Sequence, residues 1–99
     1  MTDALAERFI LRISCRDEVG IVADVASFLA LRNLFIIETA NFGDPNTGLF
    51  FMRTVFRPRT GFTATAFRNE FEAIARKWSM DWELRDLRGV RLDRLHDGD

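Results

Sequence analysis

The sequence predicts an α+β fold: a four-stranded antiparallel sheet with both helices on one face. Three observations predict it. Four segments with strand-like apolar patterning and two with helical patterning occur in the order β-α-β-β-α-β. The second and third strands are joined by a short run dense in turn formers. Each helical segment carries one apolar stripe, which needs a sheet face to bury it.

The elements follow in order. Phe9, Leu11, Ile13 and Cys15 alternate with the polar Arg12 and Ser14, the mark of a half-buried first strand. The polar turn Asp17-Glu18-Val19-Gly20 leads into a helix, and Asp17 is expected to cap it. Ile21, Val25, Phe28 and Leu29 form that helix's apolar stripe, and Asn33, which tolerates left-handed backbone, is expected to end it. Phe35 to Phe42 is the second strand and Leu49 to Arg57 the third, with Gly43-Asp44-Pro45-Asn46-Thr47-Gly48 as the hairpin turn. Pro58 and Gly61 interrupt the chain. Phe67, Phe71, Ile74 and Trp78 then mark a second amphipathic helix, with Thr63 or Thr65 as its cap and Arg76 and Lys77 suited to its C-terminal dipole. Trp82 and Leu84 alternate in a short last strand. The domain is placed at residues 7–88, and residues 89–99 read as a charged, frayed tail or the start of a linker. Two βαβ crossovers joined by a hairpin are the ferredoxin-like arrangement.

Alternation assigns faces. In strand two, Ile37, Thr39 and Asn41 oppose Ile36, Glu38, Ala40 and Phe42. In strand three, Phe50, Met52, Thr54 and Phe56 oppose Leu49, Phe51, Arg53 and Val55. Both sets in strand three are apolar, whereas a sheet with one solvated face should show one polar set. The second face is therefore expected to be buried against a partner chain or domain.

Composition narrows the function. One domain of 99 residues can bury a thin core, roughly 60–70% of its unfolded surface. The net charge of −1 lacks the basic excess expected of a nucleic-acid binder. Met1 to Arg8 has no apolar core of a signal peptide, and no apolar run approaches the ~18 residues of a membrane span. The single cysteine makes no internal disulfide and no cysteine-rich zinc site, and a reducing cytoplasm is the expected location. Catalytic residues, metal ligands and cofactors are not expected. Cys15 ends a strand and reads as a buried thiol, the lone His96 lies in the tail, and Asp81, Glu83 and Asp86 read as strand-edge charges. Thr47 to Thr54 has the outline of an RNA-binding RNP1 strand, but Thr47, Leu49 and Thr54 stand where a basic residue and two aromatics belong. RNA binding is thus a remote alternative.

Cys15 to Val22 resembles the "D-x-P-G-I" turn that opens the first helix of ACT domains, with Asp17, Gly20 and Ile21 matching it. The runs Ile36 to Asp44 and Gly48 to Arg53 are similar to the second and third strands of the ACT domain of the formyltetrahydrofolate deformylase family. The resemblance covers about residues 7 to 88. It implies a regulatory domain that senses an amino acid and oligomerises. It also implies a parent enzyme, a hydrolase converting 10-formyltetrahydrofolate and water to formate and tetrahydrofolate in one-carbon and purine metabolism. The catalytic residues would lie in a formyltransferase-like domain outside these 99 residues. The alternative is a freestanding ACT interaction or sensor module without deformylase activity.

The implied ligand site comprises Asp17, Val19, Gly20, Ile21, Asn41 and Arg53. Helix N–H groups after Gly20 suit a ligand carboxylate. Asp17 suits an ammonium, or else caps the helix. Arg53 suits a carboxylate across a dimer, or else pairs with Glu38 or Asp44. Two positions depart from the family pattern: Val19 replaces the proline, and Phe35 replaces an asparagine that holds the ligand. Loss of such a polar anchor would cost about 1–3 kcal/mol of binding unless Asn41 or Asp17 substitutes. A homodimer or higher homo-oligomer formed through the sheet is expected.

Overall fold

The protein is described by a computed structural model covering residues 8–86. The element order is β1 (Phe9–Arg16), α1 (Ile21–Leu31), β2 (Phe35–Asp44), β3 (Leu49–Arg57), α2 (Ala64–Trp78) and β4 (Asp81–Asp86). The strands form one antiparallel sheet in the order β2-β3-β1-β4, the expected ferredoxin-like α+β arrangement. The expectations for Met1 to Glu7 and for the tail, His96 included, fall outside the described residues.

Local chemistry accounts for most boundaries. Helix α1 buries Ile21, Val25, Phe28 and Leu29, the predicted stripe. It ends where Asn33 turns left-handed (φ 59°), with Leu34 N–H donating to Leu29 O at 3.0 Å and Asn33 N–H to Ala30 O at 3.0 Å. That pair of bonds satisfies two terminal carbonyls and lays Leu34 back on the core. Thr63 caps α2, its Oγ1 accepting from Ala66 N–H at 3.1 Å. The α2 stripe rotates slightly from expectation: Phe67, Phe71 and Ala75 are buried, while Ile74 and Trp78 are half-buried at the core margin. The hairpin is held by Asp44, whose carboxylate accepts from Asn46 N–H at 3.0 Å and from the Thr47 hydroxyl at 3.1 Å.

The core lies between the sheet and the helices. Leu11, Ile13 and Cys15 of β1, Phe50, Met52, Thr54 and Phe56 of β3, and Leu84 of β4 face the helical side. Aromatic rings fill its centre: Phe67 stacks on Phe56 (5.5 Å), and Phe71 meets Phe28 (5.2 Å) and Trp82 (4.8 Å). Such tilted and offset contacts add to the burial energy.

One face assignment is corrected. The β2–β3 register slips between Ile36 and Glu38, so Ile37 is a bulge. Ile36 opposes Phe56 and packs against the core, while Thr39 opposes Thr54 and shares a 3.0 Å hydroxyl contact with it. Ile36 therefore joins the face of Thr39 and Asn41 instead of opposing them. An extra residue on one strand inverts the pleat beyond it.

Candidate functional site

The candidate site is the β1–α1 turn, Asp17 to Gly20. Asp17 N–H donates to Gly48 O at 2.9 Å, which adds one bond beyond the Arg16–Leu49 pair and ties the turn to the sheet. The expectation that Asp17 caps α1 is corrected. Gly20 occupies the cap position with φ 104° and ψ −14°, and among the described residues no side chain bonds the helix start. The tie to Gly48 holds Asp17 on the sheet three residues short of the cap. Its carboxylate lies over Gly43 of β2 instead, where a Cβ would stand 2.7 Å from Asp17 Oδ2. The first-turn N–H groups of α1 are thus left without a side-chain acceptor, facing the turn with the positive end of the helix dipole.

The other side of the turn rests on α2. A Cβ on Gly20 would stand 3.4 Å from Trp78 Cη2. The indole is fixed by its Nε1–H, which donates to Asp24 Oδ2 at 2.9 Å. Lys77 Nζ donates to the same oxygen at 2.9 Å and lies 5.2 Å from the Trp78 ring centroid. The hydrogen bond from Lys77, then that from Trp78, holds the Asp24 carboxyl below the usual carboxylate range. Beneath the turn, Cys15 is buried as expected. Burial, followed by the charges of Asp17 and Glu18, pushes its thiol pKa up, the reverse of what a nucleophile needs.

The six predicted site residues separate. Asp17 and Gly20 line the turn. Val19 is at its tip, 97% exposed, and Ile21 is a core residue at 1%. Asn41 is exposed on the helical side of β2, opposite Met52 and two residues from Gly43. Arg53 is on the other sheet face, where it pairs with Glu38 at 3.1 Å. Asp44, the other proposed partner, holds the hairpin instead. Phe35 stands 57% exposed beneath the Arg57 guanidinium at 4.7 Å. Sequence reading missed Gly43 and Trp78, which touch the turn from positions far along the chain. Among the described residues, no group of three or more His, Cys, Asp or Glu is placed to hold a metal, and no helix is long and apolar enough to cross a membrane.

No family model matches the chain. It is 35% identical over 83 residues to a formyltetrahydrofolate deformylase of Corynebacterium sp. (strain P-1), a match covering 80% of this chain and 28% of that protein. The crystal structure of a formyltetrahydrofolate deformylase from Pseudomonas syringae pv. tomato superposes with a TM-score of 0.76 at 46% identity, over 80% of this chain and 27% of that one. An ACT domain protein from Streptococcus pneumoniae superposes with a TM-score of 0.72 at 26% identity, over 82% of this chain and 90% of that one. The chain thus spans little more than a quarter of the deformylases it matches. The turn, the strand order and these likenesses agree: the chain is an ACT-type domain, and it resembles the ACT-like regulatory domain of formyltetrahydrofolate deformylase.

Proposed function

We propose that this chain is the regulatory, amino-acid-sensing and oligomerising ACT domain of a formyltetrahydrofolate deformylase. The observation that supports it most is the β1–α1 turn. Uncapped N–H groups at the start of α1 suit a ligand carboxylate, and the Asp17 carboxylate, lying over Gly43, suits an ammonium. Asn41 is a further polar group on the same side of the sheet. Arg53 on the opposite sheet face and Ile21 in the core do not line this turn. Ligand bound where subunits meet would shift the balance between two packings by its differential affinity for them. The parent reaction would be hydrolysis of 10-formyltetrahydrofolate in the cytoplasm, carried out by a catalytic domain beyond these residues.

The test is calorimetric titration of glycine, serine and methionine into the purified chain and into Asp17→Asn. Heat from at least one amino acid, lost in the variant, is expected. No heat from any of them would overturn the sensing role. The Streptococcus pneumoniae protein, 90% covered by a chain of this size, favours a second reading as a freestanding ACT module. A coding frame continuing past Asp99 into a formyltransferase-like sequence would decide for the enzyme.

A further inference from the structure

A cavity of about 220 Å³ opens where the β3–α2 loop meets the C-terminal end of α1. A turn closed by Phe62 N–H donating to Arg59 O at 3.1 Å shapes that loop. Leu34, Phe62 and Phe67 form the apolar part of the cavity lining. The Phe67 ring is held in place, stacked between Phe56 (5.5 Å) and Phe71 (5.7 Å). Polar groups complete the lining. Arg32 Nε donates to Glu70 Oε1 at 2.7 Å and its Nη1 to Phe28 O at 3.2 Å. Its guanidinium also lies 3.8 Å from the Phe28 ring centroid, so Arg32 is fixed while its Nη2 remains able to donate. Thr63 Oγ1 accepts from Ala66 N–H at 3.1 Å, which leaves its hydroxyl proton available to a further acceptor. Among the described residues, Arg59 has no acidic partner. Glu70 offsets Arg32, so Arg59 gives the cavity a net positive charge.

From this lining we propose that the cavity is a second ligand site, for a small monocarboxylate with an apolar body. The Arg59 guanidinium supplies the unpaired cation, and its planar fork matches the two oxygens of a carboxylate. The Thr63 hydroxyl and Arg32 Nη2 are further donors to the same anion. The apolar body lies on Leu34, Phe62 and Phe67, a mixed lining of the kind that fixes small ligands. Size limits the guest, because cavities for drug-sized ligands run from about 300 to 1,000 Å³. A cationic guest is disfavoured: Glu70 is already held by Arg32, and Arg59 repels it. The other side of the loop, bordered by Phe9 and Pro58, shares Arg59 but offers no second charged group. The site lies beyond the opposite end of α1 from the β1–α1 turn, about 16 Å along the helix. It is independent of amino-acid sensing at that turn.

The test is a titration of the 99-residue chain followed by amide NMR shifts, with three probes: phenylacetate, phenethylamine and inorganic phosphate. Phenylacetate is expected to move the amides of Leu34, Thr63 and Phe67, with a dissociation constant on the order of 1 mM for a ligand of its size. Phenethylamine, of similar shape and opposite charge, should leave those amides in place. Phosphate, which lacks the apolar body, should bind about tenfold more weakly or not at all. Arg59→Gln should weaken phenylacetate about fivefold or more, and Arg59→Glu should abolish its binding. Melting curves confirm that both variants, changed at an exposed position, remain folded. Asp17→Asn, at the other end of α1, should leave phenylacetate affinity unchanged. No phenylacetate response up to about 10 mM overturns the site. So does an equal response to phenethylamine, an affinity indifferent to Arg59→Glu, or shifts confined to the β1–α1 turn. None of these results touches the calorimetric test of sensing.

Discussion

Replacing Gly20 by alanine should cost about 1–2 kcal/mol of stability, and the structure says where that cost arises. At φ 104° an L-residue is strained by roughly 1–2 kcal/mol. The added methyl would sit 3.4 Å from Trp78 Cη2, the tight edge of ordinary contact, so crowding adds little. Two sibling substitutions separate the terms. Gly48 has φ 76° with nothing within 4 Å of its Cβ position, so Gly48→Ala should cost about as much through backbone strain alone. Gly43 has no positive φ, but its Cβ would stand 2.7 Å from the end of the exposed Asp17 side chain, which can rotate away. Gly43→Ala should therefore stay within about 0.5 kcal/mol of the parent while displacing the Asp17 carboxylate. For a domain of this size the first two changes lower the melting temperature by roughly 4–16 °C. The assay is urea unfolding with unchanged slope, so that midpoints report stability directly. A Gly43→Ala loss equal to that of Gly20→Ala would refute the division between backbone strain and side-chain crowding. So would a neutral Gly20→Ala.

Four further outcomes are expected. Phe71→Ala, which empties a fully buried site between Phe28, Phe67 and Trp82, should cost about 3–5 kcal/mol and leave little folded protein, as seen by near-UV dichroism. Asp24 has a depressed folded-state pKa, so its contribution is complete above the unfolded value near 3.8 and is lost as pH falls through the folded value. Asp24→Asn should accordingly flatten the acid limb of the stability profile, measured as unfolding midpoint against pH. Cys15 has a raised pKa, so stability is complete below the unfolded value near 9.0 and falls as pH rises from there through the folded value. The same burial should make the native thiol slow toward a disulfide reagent, with the reaction rate tracking unfolding in mild urea. Rapid stoichiometric labelling of native protein would contradict a core position.

Most of the fold was legible because the signals that set it are local. The turn residues 43–48 and the left-handed Asn33 act within a few residues of themselves, and the apolar stripe of α1 needs only the helical period. The failures share a different cause. Three consecutive apolar residues, Phe35-Ile36-Ile37, offer no alternation from which a bulge could be read, and the observed slip reassigns Ile36 to the core. Asp17 has the composition of a cap, but its backbone is claimed by Gly48, thirty-one residues on. Gly20 permits a close approach, and the neighbour it meets is Trp78, which no local pattern connects to it.

The separation of the candidate site has a similar origin, and it turns on one loop. The hairpin pairs Asp44 with Leu49 across four intervening residues, which sets Asn41 opposite Met52 and Ala40 opposite Arg53. Asn41 therefore faces the helices with Met52, and Arg53 faces the open side. A slip of one residue in the pairing would place Asn41 and Arg53 on the same face, because strand pairing has a period of two. The sequence lists both residues as polar groups on neighbouring strands and leaves that parity open. Once the register is fixed, the two belong to different surfaces. Asn41 stays with the turn where a ligand is proposed, and Arg53 shares the open face of the sheet with Arg12. Because the two residues face opposite sides of the same four strands, substitutions on one side can be tested without disturbing the other.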